Sequence, residues 1–406
     1  MGFILSQAVA LLVVASLVAV IARRLRLPYT VGLVLAGIAL SFSGVGAGAS
    51  LTHDLIFLLI LPPLLFESAL GIPWGELRRD ALPVIALATL GVVVAAGVVA
   101  SGLVEFLGWP AHPALIFGVL IAATDPVAVI AMFKSIKIPK RSRLIVEAES
   151  LLNDGVAAVL FGMVLAWDGA AMPSAFSVSR DLALTVGGGI LVGLACAVAA
   201  LALAGRTADH LVETVLTAAT AYGSFLLAEG LHVSGVLATV TAGLVMGRPD
   251  LPWLGKTRLF SSTIITPRGR EFLKPFWEFA AFVANSVVFL LIGLAVPAEK
   301  LINSGALAIM VTIGLVLLAR AVSVYGIGLA FRRSRWAISS AAQHILWWGG
   351  LRGALGLALA LSLPRELANR EEIIAMTFGV VVFSIVVQGL SMPALLKRLE
   401  PDAAND

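Results

Sequence analysis

The sequence predicts an all-α, polytopic membrane protein of about thirteen transmembrane helices. Three observations lead there. Of its 406 residues, 60% are hydrophobic and only 13% charged, too little polar surface to cover a water-soluble globule of this size. Apolar runs of roughly 20 residues recur from Phe3 to Leu396, the length a helix needs to cross a hydrocarbon core of about 30 Å. The basic residues are distributed with a strong bias between alternate connections.

The first run, 3–22, has no basic segment before it and no small-residue cleavage site after it, so it reads as a retained span and not a signal peptide. Spans follow at 29–46, 53–72, 81–107, 114–133 and 144–167, then at 181–204, and then at 211–229, 234–247, 276–296, 305–328, 337–362 and 372–396. An odd number of spans puts the termini on opposite sides. With the N-terminus outside, the inner connections hold 22 of the 28 Lys and Arg residues and the outer ones hold Arg180, Lys300, Arg365 and Arg370, while Arg320 and Arg352 fall inside spans. Basic loops resist translocation, so the chain is oriented N-out and C-in, in the plasma membrane (a bacterial inner membrane). The net charge of +4 is thus a topology signal, and no nucleic-acid surface is read from it. Gly247 to Pro275 reads as a cytoplasmic linker with its own turns and 397–406 as a short cytoplasmic tail, which leaves all function to the membrane part of a single 1–406 domain. Cys196 is the one cysteine and lies in an apolar run, which excludes an intrachain disulfide.

Spans 1–6 (3–167) and 8–13 (211–396) enter from opposite sides, with span 7 (181–204) as connector, the relation expected of inverted six-helix repeats. Span 5 then corresponds to span 12. Span 5 is interrupted by Thr124-Asp125-Pro126 and span 12 by Gly349-Gly350-Leu351-Arg352-Gly353. Breakers at matching places in both halves point to a binding site where discontinuous helices 5 and 12 cross.

An ionisable group near the bilayer centre costs about 2.5–3.5 kcal/mol, so each needs a partner or a function. Glu67, Asp125, Glu149, Asp154, Arg320 and Arg352 stand in such places. Asp154 lies ten residues into span 6, about 15 Å at the helical rise and close to the midplane. Asp125 reaches a similar depth from the other side, beside an unwound segment whose freed carbonyls, such as that of Thr124, suit a hard cation. Ser150 and Asp154 share one helix face and supply a hydroxyl and a carboxylate, while Glu149 and Asn153 share the adjacent face. Four acids face two bases, so at least one carboxylate is protonated or holds a cation that moves. Glu149 with Arg320 reads as a structural pair; Arg352 beside Asp125 would tie the two broken helices and leave Asp154 free. Glu67 either faces a cytoplasmic funnel or snorkels to the interface. Glu229 and His232 are read as near-surface groups, and Asn285 as an interhelical hydrogen bond and not a ligand.

Taken together, Thr124-Asp125-Pro126, Glu149-Ser150-Leu151-Leu152-Asn153-Asp154-Gly155, Gly349-Gly350-Leu351-Arg352-Gly353, Leu61-Pro62-Pro63-Leu64-Leu65-Phe66-Glu67 and Val233-Ser234-Gly235 resemble the NhaP/NHE branch of the cation:proton antiporters over nearly the whole chain. The resemblance implies a thirteen-span homodimer whose core domain moves against a dimerisation domain. It implies that Asp154 is the carboxylate shared by cation and proton, with Na+ at Asp154, Ser150 and the Thr124 backbone, assisted by Asn153 and, through a water or at the funnel, by Glu67. It also implies the Glu149 with Arg320 and Asp125 with Arg352 pairs. Asn153, where electrogenic relatives carry a second Asp, implies one cation for one proton. The chain departs from many relatives in having no long cytoplasmic tail, so regulation through such a tail is not expected.

The mechanism expected is secondary active exchange by alternating access: Asp154 holds either Na+ or H+, the loaded states switch sides, and the empty charged state does not because of its desolvation cost. No cofactor is called for, the partners being the two ions and the lipid bilayer. The alternatives are Li+ or K+ in place of Na+, a cation channel without coupling, and an intramembrane hydrolase. His53, His112, His210, His232 and His344 have no metal-ligand spacing, and no nucleophile elbow is present.

Overall fold

All regular elements among the described residues are helices. The computed structural model describes residues 2–25, 27–42, 51–125, 129–130, 138–167, 174–247, 265–296 and 305–403. Pro126 of the span 5 motif lies outside them, as do Arg26, Lys134, Lys137, Arg248, Lys256, Arg258 and Lys300 of the charge count.

In chain order the helices are α1 (Gly2–Leu25), α2 (Tyr29–Phe42), a π-helical segment π1 (Leu55–Ile60) leading into α3 (Leu61–Gly71), α4 (Trp74–Leu107), α5 (Ala111–Leu120), α6 (Lys140–Ala166), α7 (Ala175–Ala204) and α8 (His210–Gly230). They continue with α9 (Gly235–Met246), α10 (Pro267–Leu294), α11 (Ala306–Phe331), α12 (Ser340–Trp348), α13 (Ala354–Leu361) and α14 (Arg370–Phe383), which runs through a second π-helical segment, π2 (Ser384–Gln388), into α15 (Gly389–Ala403). Among the described residues, seven helices are long and apolar enough to cross a membrane, and shorter apolar helices accompany them.

Local chemistry sets the boundaries. The hydroxyl of Ser234 accepts from Leu237 N at the start of α9, Asp209 accepts from Leu211 N at the start of α8, and Ser339 accepts from Ala342 N at the start of α12, each satisfying a helix-end donor. Pro62 and Pro63 stand at the start of α3, directly after the π-helical segment π1. In α4 the backbone departs from helical values at Asp80 (φ −107°, ψ 15°), three residues before Pro83, whose ring and absent donor account for the kink.

The helix starts differ most from the sequence expectation at two places. Helix α4 starts at Trp74, where the span was expected from 81, and α10 starts at Pro267, inside the stretch expected to be linker. Arg268, Arg270 and Lys274 lower the hydropathy there, yet Gly269, Leu273 and Trp277 recur every four residues on a buried face while the basic residues stay exposed. An amphipathic first turn continues the helix beyond its apolar window. Asn285 also differs. Its Oδ1 is buried with no hydrogen-bond partner among the described residues, and the neighbouring Ser286 makes the interhelical contact, to Tyr29 Oη.

The chain divides into two compact units, each drawn from separated stretches: residues 1–56, 79–169 and 285–406 form one, and 57–78 with 170–284 form the other. The second unit has its own core of Phe66, Leu201, Met246, Leu273 and Trp277 with small residues between. Gly193 of α7 lies against the Ala238 backbone of α9 so closely that any Cβ would collide, and the indole of Trp277 donates to Thr217 Oγ1 at 3.0 Å. In the first unit, Arg141 Nε and Nη2 donate to Asp80 Oδ1 at 3.0 and 2.8 Å, and its Nη1 donates to Ala337 O at 2.9 Å. That clasp joins the beginnings of α4 and α6 to the turn before α12.

Candidate functional site

Two interruptions define the site, both in the first unit. After α5 the chain leaves helical geometry at Ile121 and runs through Ala122, Ala123, Thr124 and Asp125; between α12 and α13 it is unwound over Gly349 to Gly353. A broken helix leaves carbonyls at one end and N–H groups at the other without partners. The two breaks satisfy one another in part, since Asp125 N donates to Leu351 O at 2.7 Å. Gly353 lies directly against the Asp125 side chain, where any Cβ would collide with it, so this crossing requires glycine.

Arg352 comes from the second break. It donates from Nη1 to the carbonyls of Ala122 (2.7 Å) and Ala123 (3.1 Å), the residues just before Thr124 and Asp125. Its charge is thus placed at the negative end of α5, and it is 4% exposed.

Helix α6 brings the other face. Ser150 Oγ donates to Thr124 O and lies 3.1 Å from Thr124 Oγ1. Asn153 Nδ2 donates to Thr124 Oγ1 (3.3 Å) and to Glu149 Oε1 (3.2 Å), so its donors are committed while its Oδ1 is buried and has no partner among the described residues. Glu149 is held by Arg320, Nη1 to Oε1 at 2.7 Å and Nη2 to Oε2 at 2.9 Å. Thr124, Glu149, Ser150 and Asn153 are all 2% exposed or less.

Asp154 differs from these. Its carboxylate lies at the Thr124 backbone, and its Oδ1 is buried without a hydrogen-bond partner among the described residues. Asp125, Glu149 and Arg352 all lie within electrostatic reach of it. An unsatisfied buried carboxylate oxygen beside an unwound, carbonyl-rich segment is a place for a proton or a hard cation. Thus Thr124, Asp125, Glu149, Ser150, Asn153, Asp154, Arg320 and Arg352 come together in one unit. Glu67 is on α3 of the other unit, partly buried. Among the described residues there is no group of three His, Cys, Asp or Glu side chains able to hold a metal ion.

Two contributors were not singled out in the sequence. Ser384 Oγ accepts from Arg352 N at 3.0 Å, and Gln388 Nε2 donates to Trp348 O at 3.0 Å, so both ends of the span 12 break are held from π2. The signal available was two polar residues four apart in an apolar span, the spacing of Ser150 and Asp154.

Comparison with known proteins finds matching relatives. Residues 9–398 match the family described as sodium/hydrogen exchanger, transmembrane. The Na+/H+ antiporter ApNhaP of Aphanothece halophytica is 39% identical over 386 residues, covering 92% of this chain and 70% of that protein. The Na+/H+ antiporter NhaP of Pseudomonas aeruginosa is 35% identical over 354 residues, covering 84% of this chain and 80% of that protein. Among solved structures, the sodium proton antiporter MjNhaP1 of Methanocaldococcus jannaschii shares the fold, with a TM-score of 0.76 at 22% identity over 98% of this chain and 100% of that one.

Proposed function

The chain belongs to the sodium/hydrogen exchanger family of integral membrane transporters, and on that premise we propose that it exchanges one Na+ for one H+, with Asp154 as the carboxylate for which the two ions compete. The observation that carries this reading is the Asp154 Oδ1, buried and without a hydrogen-bond partner among the described residues while the neighbouring Glu149 is saturated by Arg320. A lone buried carboxylate is stable only when neutralised. A proton does this by bonding to the oxygen; Na+ does it when Ser150 Oγ, the Thr124 carbonyl and the Asn153 amide oxygen complete a shell of hard oxygens.

Coupling follows from desolvation. The proton-loaded and sodium-loaded sites are close to neutral and can change the side they face, whereas the empty anionic site cannot cross at acceptable cost. With Asn153 adding no second charge, each cycle carries one cation each way and moves no net charge. Arg352 and Asp125 keep the discontinuous helices of spans 5 and 12 together, Glu149 with Arg320 anchors α6, and Glu67 serves as an acid of the cytoplasmic funnel. We place the protein in the inner membrane as a homodimer with its N-terminus outside; the bias of basic residues supports that orientation. The relatives named as Na+/H+ antiporters support Na+ as the cation.

The test is Asp154→Asn in proteoliposomes loaded with a pH dye and given Na+, Li+ or K+ in turn. Cation-driven proton movement disappears for every cation that the unaltered protein carries. Robust residual exchange by the variant overturns the reading.

A further inference from the structure

The unwound segment at Gly349 to Gly353 is buried, and its backbone groups need partners wherever the helices end. Trp348 O, at the end of α12, loses the intrahelical donor it would have had. Arg352 N, at the other end, has no helical acceptor. Both find side chains on π2: Gln388 Nε2 donates to Trp348 O at 3.0 Å, and Ser384 Oγ accepts from Arg352 N at 3.0 Å. Gln388 and Ser384 are 3% and 1% exposed, so no solvent competes for these bonds. The π turn, in which Gly389 N donates to Ser384 O five residues back, widens the helix where both side chains face the break.

The same arrangement occurs at the other break. There Ser150 donates to Thr124 O, and Asp154, four residues on, lies at the Thr124 backbone. In both cases the helix that follows the interrupted one reaches back with a serine and, one turn later, a second polar side chain. The second group differs in kind: a carboxylate at 154 needs a proton or cation, whereas the amide at 388 carries its own donor for the carbonyl it meets. One break can be loaded and unloaded. The other is closed permanently.

We propose that Ser384 and Gln388 are positioning residues for the exchange site: they fix the backbone of the span 12 break, so that Arg352 is aimed at the Ala122 and Ala123 carbonyls, which in turn set where Thr124 meets Ser150 and Asp154. They hold no ion themselves. The inference rests on the reading of Asp154 as the exchange site, and its steps are hydrogen bonds between Ser384 and Arg352 N, between Arg352 Nη1 and Ala122 O at 2.7 Å, and between Ser150 and Thr124 O.

Ser384→Ala, Ser384→Thr and Gln388→Leu are compared with the unaltered protein in two measurements. Hydrogen exchange of the 349–353 amides reads the positioning directly, and Na+-dependent proton flux in proteoliposomes reads its consequence. Ser384→Ala and Gln388→Leu raise amide exchange in that segment about tenfold and the apparent KM for Na+ about fivefold, the scale of one buried hydrogen bond lost, and Ser384→Thr restores both. A merely structural role would lower the maximal rate with the fraction of folded protein and leave KM unmoved. Amide exchange like that of the unaltered protein, or a KM within about twofold of it, overturns the proposal. If the unaltered protein itself exchanged no cation, the Asp154 reading would fall, while amide exchange would still decide the positioning.

Discussion

Arg320 holds Glu149 with both arms of its guanidinium, at 2.7 and 2.9 Å, and reaches Leu346 O through Nε at 3.2 Å. One cation thereby joins α6, α11 and α12, and neither charge has water to fall back on. Removing one partner of a buried pair leaves an uncompensated charge at a cost of about 3–5 kcal/mol, whereas replacing both by apolar or neutral groups costs far less. Glu149→Gln and Arg320→Met should therefore each lower the thermal unfolding temperature in detergent strongly. The double variant should lie nearer the unaltered protein than either single one; simple additivity of the two losses would contradict the pairing.

The proposed competition at Asp154 makes a separate prediction about pH. When H+ and Na+ exclude one another at one carboxylate, each proton bound removes a sodium site, so the apparent KM for Na+ rises as pH falls. Below the pKa of the site the rise approaches about tenfold per pH unit, with the maximal rate at saturating Na+ little changed as long as the trans side can unload. Initial rates of Na+ uptake at fixed internal pH and varied external pH measure it. A KM independent of external pH together with a falling maximal rate would point to a titrating group elsewhere.

How much of this was legible in the sequence follows from what a charge costs in lipid. Asp154, Glu149, Arg320 and Arg352 are conspicuous because an ionised group in an apolar run is expensive, and the four-residue spacing of Ser150 and Asp154 puts them on one face. Ser384 and Gln388 have the same spacing but are neutral, so hydropathy barely registers them and charge counting passes over them. The contacts of Arg352 with Ala122 and Ala123 depend on where α5 stops, which no side chain at those positions announces. The π turns at Leu55–Ile60 and Ser384–Gln388 follow from tertiary satisfaction of the backbone and leave no periodic trace. Division into two units is likewise hidden from span counting, because each unit collects stretches far apart in the chain.

The second unit offers a last prediction, independent of transport. Glu213, 1% exposed in the first turn of α8, accepts from Thr266 N at 3.1 Å and from Thr266 Oγ1 at 3.0 Å, and Thr266 Oγ1 accepts from Gly269 N at 3.0 Å. The carboxylate is thus seated at the N-terminus of α10, where the helix dipole and unpaired N–H groups favour an anion. Any Cβ at Gly269 would run into Glu213 Oε2. Gly269→Ala, which on helix propensity alone would add roughly 1 kcal/mol of stability, should instead destabilise the protein by displacing that carboxylate. Glu213→Gln keeps the shape but weakens the charge-assisted bonds and should cost about 1–2 kcal/mol. Combining the two should cost less than the sum of the separate effects, because each disturbs the same contact. Thermal melts of the three variants in detergent check this, and a stabilising Gly269→Ala would show that α10 does not begin against Glu213.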